Sequence, residues 1–213
     1  MPAFFHPPGE DEGIVPFEGF PLSFPQGTLS AVISTDNLAS SLFLSSSMAS
    51  ALRGGKTYYI GPGKAPSPAL LSRFDVEIDS FLTGNVYSTG ELLEALNYVE
   101  PGSFVLVSRF PLLAGISAET VLGLRRVADE RSLALVLHHD AVLFNELDIP
   151  GEFSRLFKLP ELFDSLLVLR TSSYRGHYRM NITVLRAPPE MVSAVGEHSI
   201  PVTNLVKLIT GSP

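Results

Sequence analysis

The chain contains no cysteine and no tryptophan. The first absence excludes a disulfide scaffold, a Cys-ligated zinc or iron–sulfur centre and a thiol nucleophile. Charge is sparse as well: Asp, Glu, Lys and Arg make up 17% of the 213 residues, and they sum to −7. A globular chain usually carries about 25%. An acidic chain is a poor general binder of nucleic acid, because phosphate contact needs clustered Lys and Arg. No apolar run approaches the ~18 residues of a membrane-spanning helix, and no basic stretch precedes an apolar one near Met1. The expectation is a soluble, cytoplasmic protein without a membrane partner. Hydrophobic residues, at 45%, are plentiful enough over this length to build one core unaided.

What is present divides at Gly27. Residues 1–26 carry Pro2, Pro7, Pro8, Pro16, Pro21 and Pro25, which break any helix, and Phe4, Phe5, Phe17, Phe20 and Phe24. This reads as an extended Pro/Phe-rich segment docked on the domain or on a neighbour, since free tails are poor in aromatics. Residues 27–213 read as a single α/β domain. Leu29–Ile33 is a short apolar run of buried-strand type, and Asp36 or Asn37 can cap a helix carrying Leu38, Leu42, Met48, Ala49 and Leu52. Gly54-Gly55 stops it, and Thr57–Ile60 is β-branched and aromatic. The serines Ser45, Ser46, Ser47 and Ser50 lack a G-x-S-x-G context, so they predict close helix packing and no hydrolase elbow. Asp75, Glu77 and Asp79 alternate with Val76 and Ile78, predicting a half-exposed strand. Ser88 with Glu91 has capping-box spacing before Leu92, Leu93, Leu96 and Val99. Phe104–Val107 and Leu133–Leu137 read as further buried strands, with a helix capped by Ser117 between them. Residues 141–163 give no clear period. Leu166–Arg170 and Met180–Leu185 flank Ser172–Arg179 as a β-hairpin. Alternating strands and helices predict a mainly parallel sheet flanked by helices on both faces, closed by this antiparallel C-terminal hairpin.

The strand–loop–helix at 29–53 lies where a phosphate-binding loop would. The frame G-x-x-x-x-G-K-[ST] falls on Ser34-Thr35-Asp36-Asn37-Leu38-Ala39-Ser40-Ser41. Ser34 and Ala39 stand for its glycines and Ser40 for its lysine; Ser41 alone keeps the residue type. The surrounding order of Gly27–Ile33, Leu52–Ile60, Phe104–Ser108, Ala128–Leu137 and the hairpin through Pro188 resembles the ATP-binding core of RecA/RadA-type recombinases and their KaiC-like relatives. The resemblance covers roughly residues 27–190 and implies a RecA-like fold.

It also implies what has been lost. A phosphate loop wraps backbone N–H groups round its ligand and needs glycine for close approach; Ser34–Ser41 contains none, and Asp36 adds a negative charge. The metal-holding acid expected after the Walker B strand corresponds to Ser108, followed by Arg109. The family's catalytic glutamate, expected after the strand matched by Thr57–Ile60, corresponds to Gly61-Pro62-Gly63-Lys64. The resemblance therefore implies a non-catalytic, pseudo-ATPase paralogue with no cofactor. Its role would be that of an accessory or structural subunit in DNA recombination, repair or a related assembly, as a homo-oligomer or with an active RecA-like partner. The rival reading of Gly61–Lys64 as a phosphate nest is opposed by Pro66 and Pro68, which interrupt the helix that should follow.

Two constellations remain. His138-His139-Asp140 ends a predicted strand; neighbouring strand residues face opposite ways, so His138 and Asp140 could share a metal but His138 and His139 could not easily do so. No third ligand is in sequence reach, and no metal is expected. Arg170, Tyr174, Arg175, His177, Tyr178 and Arg179, with Arg186 beyond, form the densest basic and aromatic cluster. They are the candidate contacts in an alternative reading, a module that stacks on single-stranded nucleic acid. A second alternative is an ATP-binding protein with an atypical loop.

Overall fold

The computed structural model describes residues 13–141 and 143–211. Eight strands form one sheet in the order β3-β2-β4-β5-β1-β6-β7-β8. They are β1 (Thr28–Ser34), β2 (Thr57–Ile60), β3 (Phe81–Gly84), β4 (Phe104–Ser108), β5 (Ala134–Asp140), β6 (Ser165–Tyr174), β7 (His177–Arg186) and β8 (Gly196–Pro201). The pairings from β3 through β6 are parallel, and β7 and β8 are antiparallel. Six helices accompany them among the described residues: α1 (Asn37–Gly54), α2 (Pro68–Leu71), α3 (Thr89–Leu96), α4 (Ala118–Glu130), α5 (Ile149–Phe157) and α6 (Thr203–Thr210).

Why the central strands read as continuous apolar runs is now visible. Alternate side chains enter separate cores on the two sides of the sheet. Leu29, Ala31 and Ile33 of β1, with Val105, Val107, Leu135 and Leu137, pack under Leu92, Val121, Leu124 and Phe153 of α3, α4 and α5. Val32, Leu106, Val136, Leu167 and Leu169 pack against Leu42, Phe43 and Met48 of α1 and Val206 of α6. Helices cover both faces, as the alternation of elements predicted.

α1 is covered twice. Its inner face lies on the sheet, and Phe20, Leu22 and Phe24 of the N-terminal segment close over its outer face. Phe43 sits between, with ring centroids 6.2 Å from Phe20 and 6.1 Å from Phe24. A two-sided helix explains the serine run: Ser45, Ser46 and Ser47 are all buried, and the Ser46 hydroxyl donates a hydrogen bond to the Leu42 carbonyl (2.6 Å). Small side chains allow both neighbours to approach. The described part of the segment, residues 13–26, turns at Phe17–Phe20 and folds back on itself through an antiparallel Ile14–Phe24 bridge. Phe4, Phe5, Pro2, Pro7 and Pro8 lie outside the described residues.

Local signals marked most boundaries. Asp36, Ser88 and Ser117 cap α1, α3 and α4, and Ser88 and Glu91 form the reciprocal capping box. Two expectations need correction, one on each side of a hairpin that stands as read. Residues 75–79 are not a strand: Asp75 adopts a left-handed backbone (φ 55) that turns the chain, and pairing begins only at Phe81. The hairpin read at Ser172–Arg179 is present, with both strands running on to a two-residue turn at Arg175-Gly176, whose positive φ values (49 and 79) suit a tight hairpin. The hairpin does not end the sheet, because β8 pairs outside β7 and α6 follows it.

Candidate functional site

Parallel sheets place their sites beyond the carboxyl ends of their strands. Here β1, β5, β4 and β2 lie in order with their carboxyl ends together, and Ser34 pairs with Asp140 and Ser108 with His138 across them. The octamer read as a degenerate phosphate loop is not a loop. Ser34 is the last residue of β1 and Asn37 the first of α1, so Thr35 and Asp36 alone join them.

Asp36 holds this short link closed. Its Oδ1 accepts from Ala39 N–H (2.8 Å) as the cap of α1. The same carboxylate accepts from the Thr171 backbone N–H and hydroxyl of β6, each at 2.7 Å. The positive end of α1 is thus already answered by a carboxylate of the chain itself. Ala39 and Ser40 are buried in the first turn, Ser41 is exposed, and Ser34 is turned into the core. The Ser34 hydroxyl shares a hydrogen bond with His138 Nε2 (2.9 Å).

His138 is fully buried and stacked on Phe43 (centroids 5.8 Å apart). Burial pushes its pKa down to about 4, against a partial pull upward from the Asp140 carboxylate. Its Nε2 is 3.8 Å from Asp140 Oδ1. His139, on the opposite face as strand alternation requires, also has its pKa lowered, chiefly by burial. Among the described residues no three His, Asp or Glu side chains converge as a metal site.

A cleft of about 440 Å³ opens beside this buried pair, lined by Asn37, Ser40, Ser41, Leu44, Tyr59, Gly63, Lys64, Ser108, Arg109 and Asp140. Arg109 leaves β4 with a left-handed backbone (φ 51) and places its Nε 3.4 Å from Asp140 Oδ2. Gly61 packs so closely on Ser108 that a Cβ there would stand 2.5 Å from the serine carbonyl and hydroxyl oxygens. The Tyr59 hydroxyl donates to the Lys64 carbonyl (3.4 Å), and burial raises its pKa. Ser108 Oγ is buried and makes no bond of full hydrogen-bond geometry, though it stands near enough to the Tyr59 hydroxyl to offset part of that rise.

The resemblance brings Ser40, Ser41, Ser108 and Lys64 together, and Asp140 stands out in the sequence only as a strand-end neighbour of His138. Tyr59 carries no signal, and neither it nor Asp140 is tied by the sequence to this cleft. No spacing could have announced them, since they come from strands joined only by the sheet.

The residues of the basic hairpin cluster are engaged by separate partners within the protein, although several share a face. Register puts Arg170, Ser172, Tyr174, His177, Arg179 and Asn181 on one face of β6 and β7. Arg170 pairs with Glu146 (2.7 Å). Arg179 donates to Ser199 Oγ (2.8 Å), which donates to Asn181 Oδ1 (2.7 Å). Arg186 donates to the carbonyls of Pro160 and Phe163. Tyr178 is half-buried against the α1 and α6 core. Arg175 lies 5.0 Å from the exposed ring of Tyr174 at the tip.

No family model and no curated protein sequence matches the chain. Among solved structures it is similar to the flagellar accessory protein FlaH from Methanocaldococcus jannaschii, with a TM-score of 0.61 over 84% of this chain and 88% of that one. Identity is 10%. The fold is RecA-like. That likeness reaches the architecture and not the chemistry, which rests on the residues described above.

Proposed function

We propose that this chain is a non-catalytic RecA-like paralogue, a pseudo-ATPase that serves as an accessory or structural subunit. The observation that carries the reading is the two-residue link from β1 to α1. A phosphate cradle needs a loop of several residues whose N–H groups point inward. Here Asp36 spends its carboxylate on the helix end and on Thr171, so a triphosphate would meet a closed turn and a fixed negative charge. The absence of an acid at Ser108 and after β2 supports the same conclusion, since magnesium would have only Asp140 in the cleft.

An accessory role agrees with the name of the structural neighbour, itself a flagellar accessory protein. Self-association, or pairing with an active RecA-like protein, is supported by the apolar side chains left in solvent. Leu143 and Leu147, just beyond the carboxyl end of β5, are 88% and 98% exposed. Recombination or repair is the process proposed from the sequence resemblance. The nucleic-acid alternative has weaker support, because Arg170, Arg179 and Arg186 are each engaged within the protein.

Calorimetric titration with Mg-ATP tests the central point. No heat of binding and no phosphate release are expected. Magnesium-dependent binding in the micromolar range would overturn the reading. Capture from the native source followed by mass determination identifies the assembly partner.

A further inference from the structure

We propose that the cleft at the carboxyl ends of β2, β4 and β5 binds a small oxyanion of the phosphate class directly through Lys64 and Arg109, without a divalent metal. This rests on the pseudo-ATPase reading and gives the altered site a ligand of its own.

The charge pattern is the first ground. Two cations and one carboxylate line the cleft, leaving a surplus of positive charge on a chain whose net charge is −7. Arg109 meets Asp140 through Nε, and its two Nη groups carry no hydrogen bond among the described residues. Gly63 leaves room beside them; a Cβ there would lie 3.7 Å from one Nη. Lys64 has no ion pair among the described residues, and so both cations can turn toward a shared ligand. A guanidinium offers paired donors suited to a tetrahedral oxyanion, and an ammonium adds a point charge.

The second ground is independent of charge. Ser108 is 1% exposed and lines the cleft, and its hydroxyl makes no bond of full hydrogen-bond geometry, with the Tyr59 hydroxyl its near polar neighbour. A buried hydroxyl is almost always satisfied by protein, water or ligand. Ser40, Ser41 and Asn37 supply further donors around the same space. A divalent cation suits this lining badly, having one carboxylate to bind and two fixed positive charges to face. A phosphate-class anion reverses every one of those terms. The two stretches where an ATPase of this fold would carry its acids here end in Arg109 and Lys64, so positive charge comes from side chains and not from a metal.

The test is titration of the intact chain with sodium phosphate against sodium chloride at matched ionic strength, in EDTA, read by calorimetry and by thermal midpoint. Phosphate is expected to bind and to raise the midpoint with EDTA present. Lys64→Gln and Arg109→Gln should each weaken binding roughly tenfold or more. Arg126→Gln, the same charge change on the exposed side of α4, should leave it unaltered. Both cleft side chains are exposed, and circular dichroism confirms that the variants fold. A parallel arm with a small phosphomonoester separates the sources: equal affinity indicates the free ion, and tighter binding a phosphorylated metabolite. The proposal is overturned if phosphate acts no differently from chloride, if binding needs magnesium, or if the two cleft variants bind like the parent. Mg-ATP binding alone bears on the pseudo-ATPase reading, whereas EDTA-resistant phosphate binding bears on this one.

Discussion

Acid should destabilise this protein through His138 before the general titration of carboxylates begins. The imidazole is fully buried beneath Phe43, and burial lowers its pKa to about 4. In the unfolded chain it titrates near the ordinary value of about 6.5. The unfolded state therefore takes up a proton that the folded state refuses. Stability is full above pH 6.5, falls as the pH drops toward 4, and loses nothing more from this group below that. Linkage puts the loss at about 2 kcal/mol between pH 8 and pH 5, and about 3 kcal/mol by pH 4. A domain of ordinary stability has only about 5–15 kcal/mol in all. Urea unfolding at several pH values measures the slope. The control is His138→Gln, whose amide oxygen can still accept from the Ser34 hydroxyl but does not titrate. His139, lowered in the same direction, is present in both proteins and cancels. Parent and variant should differ in pH dependence by the amounts given, with equal m-values. Identical slopes would refute the reasoning, showing that His138 is hydrated or charged in the native state.

Other outcomes follow from single contacts. Asp36→Ala removes the α1 cap and both Thr171 bonds together, and should cost about 2–3 kcal/mol in denaturant unfolding. A change near zero would mean that the β1–α1 link is held by something else. Gly61→Ala drives a Cβ to 2.5 Å from Ser108, and should cost roughly 2–4 kcal/mol while shifting the β2 and β4 amide resonances. Asp164 joins the Arg125 guanidinium to the Leu29 N–H (2.8 Å), linking α4 to the start of β1. The ion pair is partly solvated, so Asp164→Ala should cost about 1–2 kcal/mol, to be read as a lower urea midpoint.

The elements that the chain announced are those whose signals are local. Caps at Asp36, Ser88 and Ser117 announce helix starts within four residues, and β1, β4 and β5 are apolar enough to read as strands from composition. β8 escaped because its GEHSIP sequence is half-exposed and polar, so it is a strand only because β7 offers an edge. Alternation at 75–79 misled because period alone carries no pairing partner, and Asp75 turns the chain away.

The sequence by itself determined the alternation of the central strands and helices, the absence of glycine from Ser34–Ser41 and of an acid at Ser108, and the scarcity of charge. Only the tertiary structure decided how those residues are arranged. It collapsed the octamer Ser34–Ser41 into a two-residue link capped by Asp36, buried Ser34 against His138, and dispersed the hairpin arginines among separate partners. It also gathered Tyr59, Lys64, Ser108, Arg109 and Asp140 into one cleft. The reason is physical. Backbone propensity acts over a few residues, whereas a site at strand ends is assembled by pairing of segments distant along the chain, and that order is set by which apolar faces the helices can cover.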